Sequence, residues 1–179
     1  MRGVIFTEMI EFVEEALGYE VADKMIEKAH LDNGGAFSQG GNYPFDQMVK
    51  MLTALSEITG KPPHELLFIF GEHLFSILVK LYGKDIKKAG SALDFIDSVE
   101  EYVHVEVKKL YPDADLPKFT TEEKDENHLV LIYESNKKLE SFAKGLITAC
   151  GNFFNEPLNV NDEIINETPH RVRFTITRV

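Results

Sequence analysis

The chain has one cysteine, Cys150, in 179 residues. No intrachain disulfide can form, and no cysteine cluster is available to hold zinc or an iron–sulfur centre. Any metal must be held by histidine, by carboxylates or inside a cofactor. Positive charge is also short, with 19 Lys and Arg against 30 Asp and Glu, for a formal net charge of −11. Such a surface repels phosphate backbones, so neither nucleic acid nor an anionic membrane is expected as a partner. No uninterrupted run of about eighteen apolar residues occurs. The stretch Met1-Arg2-Gly3-Val4-Ile5-Phe6 is followed by Glu8, Glu11, Glu14 and Glu15 before the apolar region of a signal peptide can form. A soluble, cytoplasmic protein without membrane insertion is expected. Catalytic signatures are missing too. Gly34-Gly35 and Gly40-Gly41 lack the spacing of a dinucleotide loop, and Phe68 stands where a zinc-protease helix beginning at His64-Glu65 needs a second histidine. No serine elbow or Cys/His pair stands out. The pairs Glu14-Glu15 and Glu100-Glu101 read as solvated helix faces.

At this length, with 44% hydrophobic residues, one core and a single domain over 1–179 are expected. Helical spacing covers residues 4–17 and Val21 to His30, after which a stretch with four glycines up to Asn42-Tyr43 reads as a surface loop. Pro44 opens a helix with Phe45, Met48, Val49, Leu52, Leu55 and Ile58 inward, closed by Gly60. The segment from His64 to about Tyr82 is apolar over most of its circumference, which marks it as central, with something large against it. Ser91 to Tyr111 reads as one long helix with Phe95, Ile96, Val99, Val103, Val107 and Leu110 on a stripe, stopped by Pro112. Beyond Pro117 the period changes. Strands are expected at Lys118–Lys124, His128–Tyr133, Leu158–Ile165 and Arg171–Val179, with a helix from about Lys137 to Asn155 between the two pairs. The fold class is α+β: a helical part over about 1–112, then a four-stranded antiparallel sheet with one inserted helix over about 113–179.

Three features carry the chemistry. His104 lies on the flank of the buried stripe of the long helix, where its imidazole can reach an interior cavity. A neutral imidazole is a good axial ligand for haem iron and leaves the opposite coordination position open. Pro117 follows thirteen residues later, and then Tyr133-Glu134-Ser135-Asn136-Lys137. If the strand continues, Tyr133, Ser135 and Lys137 share one side and offer a phenol, a hydroxyl and a cation to carboxylates. Read locally, the same residues have plainer roles: His104 a surface residue, Pro117 a loop proline, Ser135 the cap of the next helix and Lys137 a solvated cation.

The segment Val103-His104-Val105-Glu106-Val107-Lys108-Lys109-Leu110-Tyr111-Pro112, with Leu116-Pro117 and the Tyr-x-Ser-x-Lys motif, resembles the haem nitric oxide/oxygen-binding (H-NOX) domains, and the likeness spans essentially the whole chain. It implies a stand-alone, non-enzymatic gas sensor with the H-NOX fold. Haem b (iron protoporphyrin IX) is held by His104 as the only protein ligand, with Pro117 and Ile5 packed on the porphyrin and Tyr133, Ser135 and Lys137 on the propionates. The family's last motif residue is arginine, so Lys137 loses the bidentate fork and keeps a point charge, which adjacent Lys138 is available to share. The distal pocket implied is Met9, Leu74, Phe142 and Leu146. Oxygen-binding relatives have a tyrosine where Phe142 stands, so an apolar pocket selecting NO, and CO, over O₂ is expected. The resemblance further implies that NO weakens the bond to His104, that the haem flattens, and that the helical part rotates against the rest. The chain shows no kinase, cyclase or phosphodiesterase segment, so output is expected in trans, to a histidine kinase or a cyclic-di-nucleotide enzyme. The alternatives are a haem-free module of the same fold for an apolar ligand, or an interaction domain whose interior is filled by side chains.

Overall fold

Helices occupy the start of the chain and a sheet its end, in a computed structural model that describes all residues from Met1 to Val179. They form two compact units, Met1–Phe70 and Gly71–Val179. The run of N-terminal helices ends at Leu110, near the expected change of period, but the division into compact units falls earlier.

In the first unit, α1 (Gly3–Leu17) buries Phe6, Met9 and Val13, spaced three and four residues apart on one stripe. Gly18, with φ at 90°, ends α1 and opens α2 (Tyr19–Ala29), a backbone geometry that strains any residue bearing a side chain. α3 (Phe45–Thr59) closes on Gly60 in the left-handed region. The glycine-containing stretch between α2 and α3 is not a loose loop. Its carbonyls at Gly41 and Gln39 accept from the Gly3 and Val4 amides at 2.9 and 3.1 Å, which satisfies donors at the start of α1 that no side chain caps. Phe37 stacks on Phe6 with ring centroids 4.4 Å apart, and Tyr43 meets both rings edge-on. Val49, expected inward, is exposed, while Gln47 is buried. The Gln47 side chain accepts from the Asp32 amide and donates to the Asp32 carboxylate, and those bonds offset the burial of a polar group.

α4 (Pro63–Lys87) is the longest helix, with 25 residues, and it runs five residues past its expected end near Tyr82. Counted as a helix and not as an uninterrupted run, it is long and apolar enough to cross a membrane, with a mean hydropathy of 1.5. Glu72 and Lys80 interrupt it, so it contains no uninterrupted apolar run of that length. Only 22% of its apolar window is buried by protein.

The second unit holds β1 (Lys118–Lys124), β2 (His128–Glu134), β3 (Leu158–Glu167) and β4 (His170–Arg178), antiparallel in the order β1-β2-β4-β3. Alternate residues of the two central strands, Leu129, Leu131 and Tyr133 with Val172, Phe174 and Ile176, face Ala143, Ile147 and Cys150 of the inserted helix and Leu93 and Ile96, as a period of two demands. Both edge strands carry an irregular step, between Thr121 and Glu123 and between Ile164 and Asn166. Such bulges, with the charges on these strands, discourage further strand addition.

The long helix expected over Ser91–Tyr111 is broken. α5 (Ala92–Ser98) is capped by the Ser91 hydroxyl, which accepts from the Asp94 amide. A five-residue π segment follows, Val99–Val103, and α6 (His104–Leu110) completes the run. The His104 amide donates to the Val99 carbonyl, one residue further back than in an α-helix, so every later side chain is rotated by about 100° from the continuous-helix phase. Leu110, expected on the buried stripe, is accordingly 69% exposed. The inserted helix, α7 (Glu140–Phe154), begins three residues later than expected.

Candidate functional site

His104 opens α6 with its side chain only 12% exposed. Its Nδ1 lies 3.0 Å from Glu100 Oε2, and the same oxygen accepts from the Phe119 amide at 2.9 Å. With Nδ1–H donating to the carboxylate, the lone pair stays on Nε2, the nitrogen left for a metal. Burial pushes the imidazole below its ordinary pKa, against the opposing hydrogen bond and charge of Glu100. The ring is thus neutral at neutral pH, the form that can donate to iron. Lys124 ties β1 to α5 through Asp94 and Asp97 at 2.7 and 2.9 Å, which sets the strand carrying Phe119 beside the helices carrying Glu100. Pro117, half-buried, lies two residues before Phe119. Glu100 was not foreseen as a site residue, although it stands four positions before His104, a spacing at which helical side chains meet.

The second cluster lies at the end of β2. Tyr133 is buried, and the rings of His104, Phe119 and Tyr133 form a series with centroids 5.8 and 5.5 Å apart. The Tyr133 hydroxyl accepts from the Leu139 amide at 3.1 Å, and burial keeps the phenol above its ordinary pKa, hence protonated. β2 ends at Glu134; the Ser135 amide still donates to the His170 carbonyl at 3.2 Å, but Asn136 and Lys137 turn away and do not continue the extended strand as expected, with Lys138 in the left-handed region. There the Ser135 hydroxyl accepts from the Lys137 amide at 3.2 Å and caps no helix. Lys137 is not solvated. Its side chain is 14% exposed, and its ammonium donates to the Asp115 carboxylate at 2.6 Å and to the Asp115 carbonyl at 2.7 Å, whereas the Asp115 side chain is 82% exposed. Lys138 reaches instead to Glu167 at 3.2 Å.

Of the apolar positions, Leu74, Phe142 and Leu146 are half-buried residues of the second unit. α4 and α7 approach closely there, because a Cβ at Gly71 would lie 2.3 Å from the Phe142 carbonyl oxygen. Ile5 and Met9 belong to the first unit, Ile5 half-buried and Met9 wholly buried. Cys150 is buried with its thiol pushed up to about 12, so it offers no thiolate to a metal.

The sequence profile of the haem-NO-binding family matches residues 2–162. The chain belongs to the haem-NO-binding, or H-NOX, family. Among solved structures, the unliganded Fe(II) H-NOX protein from K. algicida is 35% identical, with a TM-score of 0.94 over 100% of this chain and 97% of that one. The H-NOX protein from Shewanella woodyi, solved with bound IWP-051 in the Fe(II)CO state, is 32% identical, with a TM-score of 0.84 over 100% and 95%. An H-NOX protein from S. oneidensis in the Fe(II)NO state shares the fold at 20% identity, with a TM-score of 0.89 over 100% and 99%. No functionally curated protein matches the chain. H-NOX domains are sensor domains that bind haem and are not enzymes.

The residues of this H-NOX domain fit that cofactor. A neutral imidazole of low exposure has one nitrogen held by a carboxylate and the other available. Half-buried apolar side chains at Leu78, Val79, Phe95, Phe119 and Leu146 pack against the core, and α4 is apolar but poorly covered. A flat hydrophobic ligand is what such surfaces need to be removed from water. A cation and two hydroxyls, those of Lys137, Tyr133 and Ser135, stand at and just beyond the end of β2.

Proposed function

We propose that the protein is a haem-based nitric oxide sensor in which His104 is the axial ligand and the rest of the chain reads the state of that bond. The observation that supports it most is the His104 side chain, 12% exposed with Nδ1 3.0 Å from the Glu100 carboxylate, an arrangement in which an Nδ1–H donor leaves the lone pair on Nε2. Ferrous haem, when bound, supplies an iron centre with one position open to a diatomic gas. Tyr133, Ser135 and Lys137 would hold the propionates, with Lys137 exchanging its exposed Asp115 partner for a propionate or sharing both. Pro117 and Ile5 would pack on the ring. Leu74, Phe142 and Leu146 carry no hydrogen-bond donor. O₂ gains from a donor to its developing negative charge whereas NO does not need one, so these side chains support selection of NO and CO; Met9 completes the proposed set. We place the sensor in the cytoplasm as a single domain over 1–179, with output in trans to a histidine kinase or a cyclic-di-nucleotide enzyme, as the family resemblance supports.

The test is direct. Purified protein expressed with ample haem should be red, with a Soret band that shifts on adding NO and no stable oxygen complex in air. A His104→Gly variant should lose its haem and regain it with added imidazole. Colourless wild-type protein would favour a haem-free module, the reading that the engaged Lys137–Asp115 pair otherwise supports.

A further inference from the structure

We infer that Glu100 is the positioning residue of the iron ligand, holding His104 by its Nδ1–H, strengthening Nε2 as a donor, and joining the histidine mechanically to the strand that follows Pro117. The inference rests on His104 being the axial ligand. A carboxylate partner fixes the tautomer and ring plane of a ligating histidine and raises its basicity, because the negative charge polarises the N–H toward imidazolate character. Here the bond is 3.0 Å and the carboxylate is itself held, since the same Oε2 accepts the Phe119 amide at 2.9 Å. Two donors on one oxygen restrict the side chain far more than a solvated helix face would.

The backbone contributes as well. Glu100 lies inside the π segment Val99–Val103 and His104 is the first residue beyond it. Widened turns of this kind are frequent at functional positions because they re-aim side chains without ending the helix. The ring of Phe119 sits 5.8 Å from that of His104. Any displacement of His104 therefore acts on β1 by two routes, through the shared carboxylate oxygen and through ring contact. A neutral or absent partner at position 100 should give a weaker donor, more easily released when NO binds.

Resonance Raman spectroscopy of the ferrous, ligand-free holoprotein reads this property directly as the iron–histidine stretching band. Glu100→Gln keeps an acceptor for both N–H groups and removes the charge; Glu100→Ala removes both. The band should move to lower wavenumber in Glu100→Gln and further in Glu100→Ala. The NO complexes should shift in the same order toward the five-coordinate spectrum, and haem transfer to excess apomyoglobin should accelerate about tenfold or more in Glu100→Ala. A purely structural role for Glu100 would lower the melting temperature and leave the band in place. Bands indistinguishable from wild type in the variants that hold haem would overturn the inference, and if Glu100→Ala fails to take up haem, Glu100→Gln alone decides. His104→Gly separates the two claims. If its band persists without imidazole, the ligand assignment falls; if the band vanishes there yet ignores Glu100, only the positioning role falls.

Discussion

At His104 the protein supplies a partner to one ring nitrogen and leaves the other for something else. At Lys137 it supplies an acceptor carboxylate and a carbonyl to the ammonium itself. The first arrangement is prepared for an occupant and the second is satisfied without one. The difference follows from exposure. An imidazole that is nearly enclosed can stay half-bonded when neutral, whereas the Lys137 ammonium meets its carboxylate partner where the pair is open to solvent. Asp115, 82% exposed, is easy to displace, since an exposed ion pair contributes only about 0–1 kcal/mol. Lys137 is thus kept in place by a weak partner.

Removing the prepared side should produce the largest effect. His104→Gly should lower haem affinity by more than the roughly 10–100-fold typical of an outer-shell partner, with recovery on adding imidazole; unchanged haem retention measured by transfer to apomyoglobin would break the comparison at its root. Phe142→Tyr comes next. A hydroxyl donor worth about 0.5–1.5 kcal/mol should raise oxygen affinity by roughly two- to tenfold while hardly changing NO binding. Equilibrium oxygen titrations of the ferrous protein check this, and no gain at all would remove Phe142 from the pocket. Tyr133→Phe probes the self-satisfied side. It leaves the Leu139 amide without its acceptor, so thermal unfolding should report a loss of about 1–3 kcal/mol even in protein without haem.

The same contrast explains what the sequence made legible. The sheet was readable because Leu129, Leu131 and Tyr133 alternate with β4 partners in a register that period-two patterning enforces, and the helix ends at Gly60 and Ser91 carry their own chemistry. His104 was found through its neighbours in the chain and through family resemblance. Its orientation was not readable from phase, because a π segment has no strong sequence signature and shifts everything after Val103. Glu100 was hidden for the same reason: a glutamate in an acidic pair looks solvated until the amide of Phe119, nineteen residues away, is brought to it. The strand stops at Glu134 and a turn at Asn136-Lys137 leads to Lys138 at φ 51°, a conformation that residue type alone does not announce.

The smallest expected effects sharpen the second half of the comparison. If Asp115 competes with a propionate for Lys137, Asp115→Asn should loosen the apoprotein slightly, by under about 1 kcal/mol given the exposure of the pair, and should slow haem loss by up to about fivefold. Lys137→Arg should slow it as well, by restoring two parallel N–H donors where the lysine offers a single point charge. Both are read from the rate of haem transfer to apomyoglobin at fixed ionic strength. The two substitutions act on the same ammonium position from opposite sides, so the double variant should gain less than the sum of its parts. Faster haem loss in Asp115→Asn would mean that Asp115 supports the site by holding Lys137 in reach, and the weak-partner account of that cation would have to be abandoned.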